Sequence, residues 1–350
     1  MRIIKRLSTI ILTAAALLSL GMGPKINADS VQQEKLLWPS PPSEPRIEFL
    51  ASIYGPEDLH IKKGFLRRIW ESIAGESREG LVKPFGVFAD EGKLYVTDIA
   101  DRSVHVFDQE SEKHFVIEGM NKQRFESPVG IAADREGNIY VSDSVARRVY
   151  VFSKSGEFLR EIGGDDRMER PTGIAVDRAS ETLYVVDTLA GKVLVYGLEG
   201  RYKLSFGEQG EDKVQFNRPT FISIGRDGNL YVADTMNVRI QVIDKTGKYI
   251  SQFGKRGDGT GDMANPRGIA VDVNGYIYVT DTVFEVVQIF DRSGQLLLVF
   301  GRSGMENGEF SLPAGISISD DNKIYVADSY NSRVQVFRYL KTGMGKAEKR

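Results

Sequence analysis

The sequence predicts an all-β protein: a six-bladed β-propeller of four-stranded antiparallel blades, closed by an N-terminal strand and carrying one short helical insertion. Three observations predict it: a long internal repeat, an alternating pattern inside each unit, and the way the two ends complement each other. The stretch from Asn265, NPRGIAVDVNGYIYVTDTVFEVVQIFDRSGQLLLVFG, recurs as SPVGIAADREGNIYVSDSVARRVYVFSKSGEFLREIG from Ser127, RPTGIAVDRASETLYVVDTLAGKVLVYGLEGRYKLSFG from Arg170 and RPTFISIGRDGNLYVADTMNVRIQVIDKTGKYISQFG from Arg218. Weaker copies start at Lys83 and Leu312. Six units are therefore anchored on Pro84, Pro128, Pro171, Pro219, Pro266 and Pro313, spaced 44, 43, 48, 47 and 47 residues apart. A period of this length marks one supersecondary unit repeated, as in solenoids and propellers.

Within a unit the hydrophobic period is two, with Gly and Asp punctuation every 8 to 10 residues. This is the pattern of short antiparallel strands joined by tight turns. In the Pro266 unit it places strands at Gly268 to Val271, Tyr276 to Thr280, Val286 to Asp291 and Gln295 to Phe300, with Gly275 and Gly294 supplying the positive φ of the turns. The sixth unit stops at Tyr339 without a fourth strand, while Arg46 to Ile53, RIEFLASI, stands alone upstream. Pairing the two gives every blade four strands and removes an open edge, which would otherwise template aggregation. An open solenoid, the alternative architecture, has no use for a borrowed strand.

The runs YVADTMNVRIQV from Tyr231 and YVADSYNSRVQVF from Tyr325 resemble NHL repeats, as does the Pro-x-Gly-Ile-Ala-Val-Asp segment that opens a unit. The resemblance spans about residues 46 to 339 and implies a propeller. NHL propellers serve as protein-binding modules, RNA-binding modules, extracellular sensor heads and, rarely, lyases, so the resemblance leaves the activity open.

In chain order, residues 1–28 read as a secretory signal peptide. Arg2, Lys5 and Arg6 form a basic start, Ile10 to Leu20 an apolar core too short to span a bilayer comfortably, and Ile26-Asn27-Ala28 a cleavage site. An uncleaved anchor is the alternative, and the expected location is periplasmic or extracellular. With no cysteine, disulfides and a lipid-modified Cys are excluded. Removing these residues takes away Arg2, Lys5, Arg6 and Lys25 and no acid, moving the formal charge from -2 to -6. That balance argues against a nucleic-acid partner, which calls for a clustered basic footprint. The remaining chain, 41% hydrophobic and 27% charged over the whole sequence, is of a size for one propeller.

Residues 29–45, with Trp38-Pro39-Ser40-Pro41-Pro42-Ser43-Glu44-Pro45, read as a stiff tether or, alternatively, a docking motif. The propeller is expected over residues 46–340, with the closing strand at 46–53 and a helical insertion at 60–74. There Ile61, Phe65, Leu66, Ile69, Trp70 and Ile73 share helical spacing and Lys62, Lys63, Arg67 and Arg68 lie elsewhere on the wheel. The helix is expected to brace the face where blades are joined; the sharper alternative is a membrane-surface or partner-docking helix over residues 61–73. Residues 341–350 form a basic tail.

An Asp ends the second strand of every unit: Asp98, Asp143, Asp187, Asp234, Asp281 and Asp328. Such a residue can bond the backbone of the following turn, which is the expected role; a carboxylate ring holding a cation such as Ca2+ is the alternative. Arg148, Lys192, Arg239 and Arg333 follow four or five residues later, where the NHL pattern puts Arg. They are expected to tie turns to carboxylates, with ligand contact by Arg148, Arg239 and Arg333 as the second reading. The residues after the anchoring prolines differ from blade to blade: Phe85, Val129, Thr172, Thr220, Arg267 and Ala314, with Phe221 replacing the Gly found next in the other units. They should ring a channel mouth, partly apolar with one Arg, suited to an acidic small molecule or a peptide end, or plugged by the helix.

Catalytic constellations are largely missing. The only histidines are His60, His105 and His114, none paired at zinc-ligand spacing, whereas the amidating lyases among NHL proteins rely on a histidine-bound metal. The Gly254 to Asp262 loop precedes a strand and lacks the Lys-Ser/Thr ending of a phosphate loop. The expectation is an exported, non-enzymatic propeller without a cofactor, binding a protein or peptide, or a small molecule, on its blade-junction face. The rival is a calcium-dependent hydrolase or lyase with carboxylates at the channel mouth. Membrane contact would come only through an uncleaved signal or the helix.

Overall fold

A strand buried along its whole length, such as Ile139–Asp143, needs its sheet packed between two others, and the six sheets of this protein solve that by standing around an axis. A computed structural model describes residues 35–40, 42–61, 80–120 and 123–340. Leu36 onward belongs to one compact unit. The inner strands of blades one to six are Pro84–Asp90, Pro128–Ala133, Pro171–Asp177, Ile222–Ile224, Pro266–Val271 and Pro313–Ile318. Each touches the next, and the sixth returns to the first. In the Pro266 blade the four strands are Pro266–Val271, Ile277–Asp281, Val286–Phe290 and Leu296–Phe300, antiparallel in that order, within two residues of the expectation.

Six apolar clusters fill the wedges between neighbouring blades, and the second strands feed two wedges each. Tyr140 packs toward blade three with Leu183 and Leu194, while Val141, its neighbour in sequence, packs toward blade one with Val104 and Ile117. Both are 0% exposed; burying a side chain of this size contributes roughly 1.5–3 kcal/mol.

The closing strand is formed by Ile47–Ile53, antiparallel to Arg333–Tyr339, with Phe49 opposite Phe337 and Ile53 opposite Val334. Leu37–Trp38 then pairs on its outer side. The sequence reads that stretch as a spacer; the difference comes from the Trp38 indole, which packs 6.1 Å from Phe300 and 5.8 Å from Phe337. Among the described residues the helical turns are the three 3-10 segments Pro56–Leu59, Thr235–Asn237 and Ser329–Asn331, and no helix is long and apolar enough to cross a membrane. The signal peptide, residues 29–34 of the tether, residues 62–74 of the expected insertion and the basic tail lie outside the described residues.

Candidate functional site

A carboxylate carried into a blade must be given donors, and the six aspartates that end the second strands show how. All six are 0% exposed. Asp143 accepts the N–H groups of Glu126 and Ser127, which enter its blade, and of Val145 and Ala146, in the turn it opens. Asp98 does the same with Val82, Lys83, Ala100 and Asp101, and Asp281 with Ala264, Asn265, Val283 and Phe284. Each carboxylate thereby ties the entry of its blade to the next turn. Standing one strand out from the channel, the six are not brought together as a cation-holding ring. Among the described residues no group of three His, Cys, Asp or Glu is placed to hold a metal.

Arg239 and Arg333 are placed for the first of their two expected roles, tying turns to carboxylates, and not for the second, ligand contact at the mouth. They are 8% and 1% exposed and open third strands, two strands out from the channel. Their Nε atoms donate to Asp234 and Asp328 at 2.7 Å. Their Nη2 atoms donate to Asp212 and Gln215, and to Glu306 and Glu309, all backbone carbonyls of the preceding inter-blade segment. Burial pushes the Asp328 carboxyl up, against bonds from the Ser311 N–H, Asn331 and Arg333. Arg148 bonds the Ala146 carbonyl and Glu161. None of the three arginines is a mouth residue: each opens a third strand, and in Arg239 and Arg333 the protein's own acceptors occupy the donors. Gln241 and Gln335 clamp the same segments. His105, in the equivalent slot of blade one, is 1% exposed with Nδ1 at 3.2 Å from His114 Nε2, and burial holds its pKa below the usual value.

The channel mouth at the blade-junction face is tighter than the sequence alone implies. A Cβ at Gly130 or Gly268 would lie 2.2 Å from the carbonyl oxygen of Thr172 or Ala314 in the next blade, so glycine is imposed by close approach. Blade four has Phe221 there, and its inner strand is cut to Ile222–Ile224. The Phe221 ring meets Phe85 of blade one, on the opposite side of the axis, at 5.9 Å between centroids. The Arg267 guanidinium of blade five stands 5.5 Å from the centre of the same Phe85 ring, an attractive geometry for a cation over an arene.

The structure thus brings Phe85, Phe221 and Arg267 together and assigns the other predicted mouth residues to the wall. Val129 and Ala314 are 7% and 0% exposed. The hydroxyls of Thr172 and Thr220 donate to the carbonyls of Thr220 and Arg267, stitching blade three to four and four to five. Another set of stitches goes unnoticed in the sequence reading. Thr188, Thr235, Thr282 and Ser329, each following a strand-ending Asp, donate to the carbonyls of Pro219, Pro266, Pro313 and Pro84 in the next blade. The signal was present as a hydroxyl at that place in units two to six, with Ile99 in unit one.

Arg267 has no carboxylate or hydrogen-bond partner among the described residues; its Nε is buried without an acceptor, and burial alone pulls its pKa below the usual guanidinium value. The other end of the channel differs. There a cavity of about 330 Å³ is walled by residues such as Ile131, Ile174, Ile269 and Ile316, and the rim charges are paired. Arg178 bonds Asp90 across an intervening blade, Arg226 meets Asp320 at 3.2 Å across another, and Lys245 bonds Asp177. Burial opposes ionisation of Asp177, yet the bonds from Lys245, Ser180 and the Ala179 N–H bring its pKa down to about 2.

Closed ring, four-stranded blades and apolar wedges define a six-bladed propeller. The family described as a 6-bladed beta-propeller matches residues 129–206 and 209–283, and the NHL repeat matches residues 310–337. The chain is a six-bladed β-propeller, and its last unit matches the NHL repeat. No curated protein sequence matches it. Among solved structures it is similar to a catalytically inactive virginiamycin B lyase from Staphylococcus aureus, at 16% identity over 74% of this chain and 95% of that one, TM-score 0.56. An auxiliary nutrient binding protein from Bacteroides thetaiotaomicron is similar at 15% identity over 75% and 70%, TM-score 0.58. A gluconolactonase from Xanthomonas campestris is similar at 16% over 74% and 87%, TM-score 0.56. Identities this low speak for the fold alone.

Proposed function

We propose that this protein is an exported, non-enzymatic propeller that binds a protein, peptide or small-molecule ligand through its blade-junction face. One observation carries the reading: a half-buried arginine at the mouth, Arg267, set over Phe85, which meets Phe221, and without a counter-charge among the described residues. A fold has no need to desolvate a cation without pairing it; a ligand that supplies the missing partner gives the arrangement a use. The similar structures include enzymes and a binding protein, so the reading rests on the site and not on the fold.

Photo-crosslinking tests it in the cell that makes the protein. A crosslinking residue placed at Met236 or Val283, exposed in turns of that face, should trap a partner that the same residue at Leu204, on the outer edge of blade three, does not. Equal trapping at both places, or none at the face, sinks the reading. Unfolding of residues 29–350 with calcium and after chelation separates the hydrolase alternative: a ligand bound only to the folded state raises the midpoint, and a chelator-reversible rise would favour it.

A further inference from the structure

We propose that the blade-junction mouth receives the carboxyl terminus of an apolar-ended peptide chain, with the terminal carboxylate held end-on by Arg267 beside Phe85 and Phe221. This rests on the binding reading above and names the chemistry of its ligand. Arg178, Lys245, Arg239 and Arg333 each have a carboxylate, whereas the Arg267 guanidinium has neither a carboxylate nor a hydrogen-bond partner among the described residues. Its Nε is buried, its two terminal nitrogens are bonded to no described protein atom, and the residue as a whole keeps partial exposure. A guanidinium presented by its tip offers two parallel N–H donors, which is the geometry a planar carboxylate fits.

The surroundings describe the rest of the ligand. Phe85 and Phe221 floor the mouth with aromatic surface. Around it the turns after the second strands project apolar side chains: Val145, Met236, Val283 and Tyr330 are 55%, 50%, 65% and 68% exposed. These turns adjoin the mouth, because the residue preceding each of Met236, Val283 and Tyr330 bonds the anchoring proline of the next blade. Apolar side chains on four of the six turns around Arg267 suit a chain with several apolar side chains ending in one carboxylate better than a small acid that touches only the centre. Lys83, Arg170 and Arg218 directly precede anchoring prolines and have no ion pair among the described residues, so the approach to the mouth also favours an anion.

The test uses calorimetry on residues 29–350 with the tripeptide acetyl-Leu-Val-Phe bearing a free carboxyl terminus, its C-terminal amide, and phenylpropionate. Hydrogen exchange of residues 84–90, 219–224 and 266–271 is read in parallel. The free-carboxyl peptide should bind and protect those segments. The amide should bind about tenfold or more weakly, as should the peptide to Arg267→Gln, since a charge-assisted pair is lost in each. Arg267→Lys, which keeps the charge without the fork, should recover only part. An unchanged unfolding midpoint shows that the variants fold. Amide and acid binding equally, with protection at the mouth, overturns the carboxylate assignment while leaving the binding face standing. Phenylpropionate binding as tightly as the peptide assigns the site to free acids and overturns the peptide. No binding of the free-carboxyl peptide to the wild type at millimolar concentration overturns the inference; the binding reading then depends on the crosslinking result.

Discussion

The two ends of the channel are built from the same strands and treat charge in opposite ways. Where inner strands turn outward, Arg178, Arg226 and Lys245 each find a carboxylate on another blade; where they begin, Arg267 stands over the Phe85 ring and has no carboxylate among the described residues. The first end behaves as structure, since pairing across blades helps hold the ring. The second carries a cation with no counter-charge among the described residues, which is the condition under which a site binds something else. The same contrast separates Arg267 from Arg333, a buried arginine in full use.

The largest effect should come from breaking the paired kind. Arg333→Met leaves Asp328 buried without its cation and should cost about 3–5 kcal/mol at neutral pH, read by denaturant unfolding. The carboxyl, already pushed up by burial, then rises further. A raised acid is a penalty only where the unfolded chain is ionised, so the loss should shrink as pH falls toward the ordinary carboxylate range. A pH-independent loss would mean that Arg333 acts by packing alone.

Gly268→Ala, beside the unpaired arginine, should cost about 1–3 kcal/mol, because the new Cβ must displace the Ala314 carbonyl. Thermal unfolding checks it, and a neutral result would show the mouth to be looser than drawn. At the paired end, Asp177 is held near 2 against an ordinary 3.8. A depressed acid stabilises above its unfolded pKa, and the contribution disappears as pH falls from about 3.8 through about 2. Asp177→Asn should therefore remove about 1 kcal/mol at neutral pH, discounted for the exposed Lys245, and flatten the acid-unfolding curve in that window. The smallest change is expected from Arg267→Gln: loss of about 0.5–1 kcal/mol of cation–π attraction is offset by the end of its desolvation, leaving stability within about 0.5 kcal/mol. A large loss there would mean the arginine is structural after all, and the contrast between the two ends would fail.

Much of the fold was legible because it repeats. Six prolines, six aspartates and a strand of period two specify blades, and the missing fourth strand of unit six announces its replacement at Ile47–Ile53. Leu37–Trp38 was not legible, since two residues have no period and the pairing depends on where Phe300 and Phe337 leave room for an indole. The turn-stabilising role of the aspartates was readable from local spacing. Which arginines were free was not: Arg239, Arg333 and Arg267 are the same residue type, and their difference lies in the atoms around them.

By itself, then, the sequence determined the blade, because strand alternation, turn glycines and the Asp that bonds its own turn act over a few residues and recur six times. Only the tertiary structure decided the mouth. Phe85, Phe221 and Arg267 sit in blades one, four and five, and nothing local relates them. Closure of the ring brings opposite blades to one axis, where the glycine rule of the inner strands is broken by Phe221 and the Arg267 charge has no partner among the described residues.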